Sequence, residues 1–97
     1  MTYQPSTYET VAAGQTDQSL GNSGKAGDFL HSLIITVATS ASGTVHIDDG
    51  AGTDIPITAA NTPIGVYAVT LNLRSRVGAW RVTTGAGATV VATGDFS

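Results

Sequence analysis

From residue 28 onward the chain alternates. In DFLHSLIITVA, Phe29, His31, Leu33, Ile35 and Val37 fall on one parity, and Leu30, Ser32, Ile34, Thr36 and Ala38 on the other. Successive side chains of a strand point to opposite faces, so this pattern predicts a strand. GTVHID follows with Val45 and Ile47 inward and Thr44, His46 and Asp48 outward. TDIPIT repeats the pattern through Ile55 and Ile57, but Pro56 cannot donate a ladder hydrogen bond, which predicts an edge strand. GVYAVTLNLRS groups Tyr67, Val69, Leu71 and Leu73; GAWRVTT turns Trp80 and Val82 inward; ATVVATGDF groups Val90, Ala92, Gly94 and Phe96. The intervening TSASG, DGAG, ANTP and GAGA are turn chemistry. No stretch keeps a 3.6-residue apolar period through three turns. The expected class is all-β: a compact antiparallel β-sandwich, jelly-roll-like, or a small barrel.

Residues 1–26 read differently. MTYQPSTYETVAAGQTDQSLGNSGKA is polar and Gly-rich, with few large aliphatics. It predicts an extended N-terminal arm ahead of a β-sandwich domain over 27–97. Two weak strand-like pieces fall near Tyr8–Ala12 and Thr16–Leu20. The arm has two uses open to it, pairing along a sheet edge or reaching a neighbouring copy, unless it is a partly disordered tail. One detail of the next strand bears on this. Leu33, Ile34 and Ile35 put apolar side chains on both faces, whereas a sheet with one wet face alternates. Either the arm or another subunit is expected over the second face, unless Ile34 is simply exposed.

Charge sharpens the picture. Only 11% of the 97 residues are charged, against about 25% in an average soluble domain. A free monomer usually keeps a richly charged surface, so part of this one is expected to be covered in an assembly, the alternative being a Thr-rich β-protein that is soluble alone. Four basic residues and a net charge of −3 argue against nucleic acid as a partner, because phosphate binding needs a basic footprint. There is no cysteine, hence no disulfide and no thiolate site. No apolar run approaches the roughly 20 residues that span a bilayer, and no membrane partner is expected. The first ten residues lack the basic and apolar regions of a signal peptide.

Motifs that carry chemistry are weak here. HIDDGAGTDIPI puts Asp48, Asp49 and Asp54 around a glycine turn. A Ca²⁺ loop of the EF-hand kind wants acids at alternate positions and a terminal Glu; here two aspartates are adjacent and no Glu follows. The stretch reads as a hairpin tip, with a Ca²⁺ site as the alternative. GNSGKAG fails the phosphate-loop pattern, since Ser19 stands where the first glycine belongs and Ala26 follows Lys25. His31 reads as partly buried and His46 as a surface residue. No nucleophile elbow and no paired carboxylates are present, so neither an enzyme nor a cofactor is expected, and Trp80 reads as core.

Arg74, Arg76 and Arg81 all follow Asp54, while six of the seven acids fall at or before it. Arg74 and Arg76 share a parity, and Arg81 stands one hairpin away. The alternatives are an arginine patch that meets acids on a partner and a solvated sheet face. A head-to-tail contact between copies would use the segregation. Together with Leu33, Ile34 and Ile35, these three arginines are the candidate interface residues.

GDFLHSLIITVATSASGTVHIDDGAG and GAWRVTTGAGATVVATGDFS resemble parts of small all-β bacteriophage virion proteins, the capsid decoration or cement proteins. The resemblance runs from about residue 15 onward. Its markers are Gly-Asp-aromatic-Leu before an aliphatic strand, an acidic glycine turn and the hairpin Trp-Arg-Val-Thr-Thr-Gly. It implies a non-enzymatic, self-associating subunit, a trimer by preference. Such a subunit binds the major capsid protein on the capsid exterior after synthesis in the host cytoplasm. It carries over no residue role. The alternative from another class is a carbohydrate- or receptor-binding β-module of a tail or head fibre, using the Asp48–Asp54 loop or exposed aromatics such as Tyr67.

Overall fold

A computed structural model gives the fold and describes residues 7–21, 25–50 and 54–96. Among them there is no helix. Eight strands form two four-stranded antiparallel sheets: β1 (Thr7–Val11), β2 (Gln18–Ser19), β3 (Phe29–Val37), β4 (Val45–Asp48), β5 (Ile55–Thr58), β6 (Gly65–Arg74), β7 (Arg81–Thr83) and β8 (Ala88–Asp95). One sheet has the order β1-β8-β3-β6 and the other β2-β7-β4-β5. The chain is all-β, as the alternation predicts, and β5 with its Pro56 lies on an edge.

Both sheets contribute to one core. Leu30, Leu33, Ile35 and Val37 of β3 and Val90 and Ala92 of β8 meet Val45, Ile47 and Val82 of the other sheet, with Leu20 and Trp80 from the connections. Each fully buried Val, Leu or Ile contributes roughly 1.5–3 kcal/mol. Trp80 is 2% exposed, and its Nε1 donates to the Asp28 carbonyl at 2.9 Å, which satisfies the indole without water.

The described part of the N-terminal stretch takes the first of its two expected uses, pairing along sheet edges. β1 runs antiparallel to β8, and β2 to β7. Val11 and Leu20 are wholly buried. Glu9 ties the two segments together, Oε1 accepting the Gly21 amide at 2.8 Å. Residues 1–6 and 22–24 lie outside the described residues.

The expected face pattern of β3 needs one correction. Leu30 pairs with Gly94 of β8 and Ser32 with Thr93, so His31 is an extra residue with no opposite number on β8. This β-bulge reverses the parity on its N-terminal side. Leu30 therefore joins Leu33, Ile35 and Val37 in the core, and His31, expected to be partly buried, is exposed. β6 accommodates the bulge with its own irregularity: Leu71 and Asn72 stand against His31, and Asn72 takes φ +52°. Gly94 is required there. A Cβ on it would collide with the Phe29 carbonyl oxygen and press on the Phe96 ring.

Candidate functional site

The acidic turn was the first candidate for chemistry. β4 and β5 are paired antiparallel, and Gly50, just past β4, takes φ +91°; residues 51–53 of the turn lie outside the described residues. Asp48, expected to point outward, is buried. Its Oδ1 accepts the Arg81 Nε at 2.8 Å and the Gly50 amide at 2.8 Å. Burial alone would raise the carboxyl pKa. The hydrogen bond from Arg81, the Gly50 amide and the guanidinium charge outweigh that and hold it below its ordinary value. The same hydrogen bond and charge raise Arg81.

The other two aspartates do different work. Asp49 Oδ2 accepts the Arg76 amide at 2.8 Å, and its carbonyl accepts the Gly78 amide at 2.8 Å. Asp54 stands 3.6 Å from His46 Nε2. Among the described residues, no three His, Asp or Glu side chains converge as metal ligands. His46 is the half-buried histidine and His31 the exposed one, the reverse of the expectation, because the bulge turns His31 out.

The three arginines part company. Arg81 is held by Asp48 within the same chain, so one acid–base pair suggested by the charge segregation closes internally. Arg74 lies over the Phe29 ring, 5.3 Å from its centroid, and donates from Nη1 to the Gly27 carbonyl at 3.2 Å. Arg74 and Arg76 rim an open groove of about 600 Å³ with Leu73, Val77, Ile55, Asp49 and Trp80. A second recess of about 410 Å³ lies along β5, between Thr44, His46, Asp54, Pro56 and Ile57.

Of the apolar candidates, Leu33 and Ile35 are buried in the chain's own core and have no surface to offer a partner. Ile34 does, at 40% exposure. Its surroundings form the most distinctive surface of the molecule. Across the outer side of the β1-β8-β3-β6 sheet, one row reads Thr10, Val91, Ile34 and Ala68, and the next Tyr8, Thr93, Ser32 and Thr70. A third reads Thr89, Thr36 and Val66. No position in these rows is charged. Tyr8 and Val66 are 73% and 68% exposed, and Ser32 and Thr93 join their hydroxyls at 2.6 Å. Val66, Ala68 and Thr36 were absent from the sequence-based candidates. Their signal was present in the outer parity of β6, uncharged before Arg74, but it becomes a surface only when β3 and β8 are set beside it.

No family model, no curated protein and no solved structure matches the chain.

Proposed function

We propose that this chain is a non-enzymatic structural subunit of a phage virion, a capsid decoration or cement protein. On this reading it self-associates and binds the major capsid protein on the outside of the shell. The observation that carries the reading is the uncharged three-row patch on the outer face of the β1-β8-β3-β6 sheet, which gives way to charge only at the row Asp95, Phe29 and Arg74. A water-exposed face of a small soluble domain normally mixes charges of both signs. Threonine, valine, isoleucine and alanine in three adjoining rows instead suit a face covered by protein, since interface centres are depleted of charge.

The fold is compatible. Read as a β-sandwich, the orders β1-β8-β3-β6 and β2-β7-β4-β5 are those of an eight-stranded jelly roll, an architecture common among capsid domains and also found in lectins. Architecture alone does not assign function, so the weight rests on the face. Self-association follows from the same scarcity of charge, and the resemblance favours three copies.

Two measurements test the proposal. Sedimentation over a range of concentrations, with and without a Ca²⁺ chelator, should give an oligomer that chelation leaves intact. Co-sedimentation with expanded phage shells stripped of their decoration protein should give saturable binding. A monomer that ignores such shells, loses stability on chelation and binds a glycan overturns the proposal.

A further inference from the structure

Two four-stranded sheets have four edges, and they are not equivalent. β2 has two residues, β5 has four with Pro56 among them, and β1 has five with Glu9 at its centre. These are the short, charged or proline-bearing edges by which β-proteins avoid unwanted pairing. β6 has ten residues and none of these devices before Arg74 at its end. Among the described residues it pairs only with β3. One row of its backbone N–H and C=O groups therefore faces outward, and a β-strand is the ligand that satisfies such a row.

The side chains along β6 also lack a neighbour. On its core side Tyr67, Val69 and Leu71 are only half-buried, although Ile35, Leu33 and Val90 on the inner strands are 0% exposed. On its outer side Val66 is 68% exposed, and Ile64 just before the strand is 65% exposed. Both rows stop short at the same edge.

We infer that β6 is the seam through which two copies of this chain pair, antiparallel and about a two-fold axis, into one eight-stranded sheet. This rests on the reading of the chain as self-associating, names the surface that does it, and sets a pair in place of the three copies that the resemblance favours. The register follows from the strand. Its regular part runs from Gly65 until Asn72 takes a positive φ, so the midpoint is Ala68, which faces its own copy across the axis. Val66 then meets Thr70 of the other copy, and Tyr67 meets Val69. Arg74 falls opposite Thr62, so no like charges meet. The outer rows become continuous through the pair Ala68–Ala68. The competing contact, β6 against β1 of a neighbour, is head-to-tail. It closes only where its rotation completes a ring and otherwise runs on as an open fibre, and it uses the short β1 edge that carries Glu9.

The absence of cysteine makes the test direct. Ala68→Cys introduces a single thiol on the proposed axis, and Thr10→Cys introduces one on the far edge of the same face as a control. Under mild oxidation Ala68→Cys should cross-link nearly completely, and Thr10→Cys should do so at least tenfold more slowly. Ala68→Lys places two ammonium groups face to face on an exposed position and should halve the sedimenting mass with the circular-dichroism spectrum unchanged. A wild-type oligomer, a trimer included, that Ala68→Lys leaves intact and Ala68→Cys fails to cross-link overturns the seam but not self-association. A wild-type monomer at every concentration overturns both.

Discussion

Asp48 and Arg81 meet across β4 and β7, Oδ1 to Nε at 2.8 Å, from an aspartate side chain that is 3% exposed. Because the same oxygen accepts the Gly50 amide, one carboxylate joins two strands and holds the backbone just past β4. Asp48→Ala removes both bonds and leaves the guanidinium and the amide without their acceptor. It should cost about 2 kcal/mol and lower the melting midpoint by on the order of 10 °C. Thermal denaturation followed by circular dichroism measures this. An unchanged midpoint would mean that the pair is ornamental.

The same carboxylate makes stability depend on acid. Its folded pKa lies below the ordinary 3.8, so the unfolded chain takes up the proton first as pH falls. The Asp48 contribution is therefore complete above that ordinary value. It is lost as pH drops below it through the folded pKa. Urea midpoints measured from pH 6 down to pH 2 should fall more steeply for the wild type than for Asp48→Asn. Parallel curves would place the acid sensitivity elsewhere.

Gly94 marks the bulge. Gly94→Ala drives a methyl into the Phe29 carbonyl and the Phe96 ring, and should cost about 2 kcal/mol through forced backbone movement. Urea unfolding should show a lower midpoint at an unchanged slope. A neutral outcome would require the bulge to relax without loss.

Trp80 is the chain's single tryptophan. Being 2% exposed and bonded to the Asp28 carbonyl, it should emit at short wavelength in the folded protein and resist iodide quenching. Emission should move to the red in one transition that coincides with the loss of strand signal, as two-state unfolding requires. Ready quenching in the native state would contradict its place in the core.

Ile34 stands in the uncharged patch on the outer face of the β1-β8-β3-β6 sheet, away from the core. Ile34→Glu should change folding stability by less than about 1 kcal/mol, as exposed positions generally do. It should weaken shell binding at least tenfold, because an unpaired charge buried in a contact is expensive. Shell binding equal to that of the wild type would move the contact to another surface.

How much of this was legible in the chain divides at the level of the pair. Strand positions, the edge character of β5 and the burial of Trp80 follow from local alternation, proline chemistry and apolar grouping, all of which act within a few residues. The fate of His31, Leu30 and Asp48 does not. His31 and Leu30 change faces because β8 offers one residue fewer at that level, and a count on a strand some sixty residues away leaves no mark on the local pattern. Asp48 is buried because Arg81, 33 residues later, reaches its carboxylate; alternation alone sends it outward. The candidate surface divides likewise. The chain alone determined that charge is scarce and that an all-β fold must hide apolar rows. Only the tertiary structure decided that Leu33 and Ile35 are spent in the core while Ile34, Ala68 and Val66 adjoin on an uncovered face, since side chains from separate strands become one surface only when register aligns them.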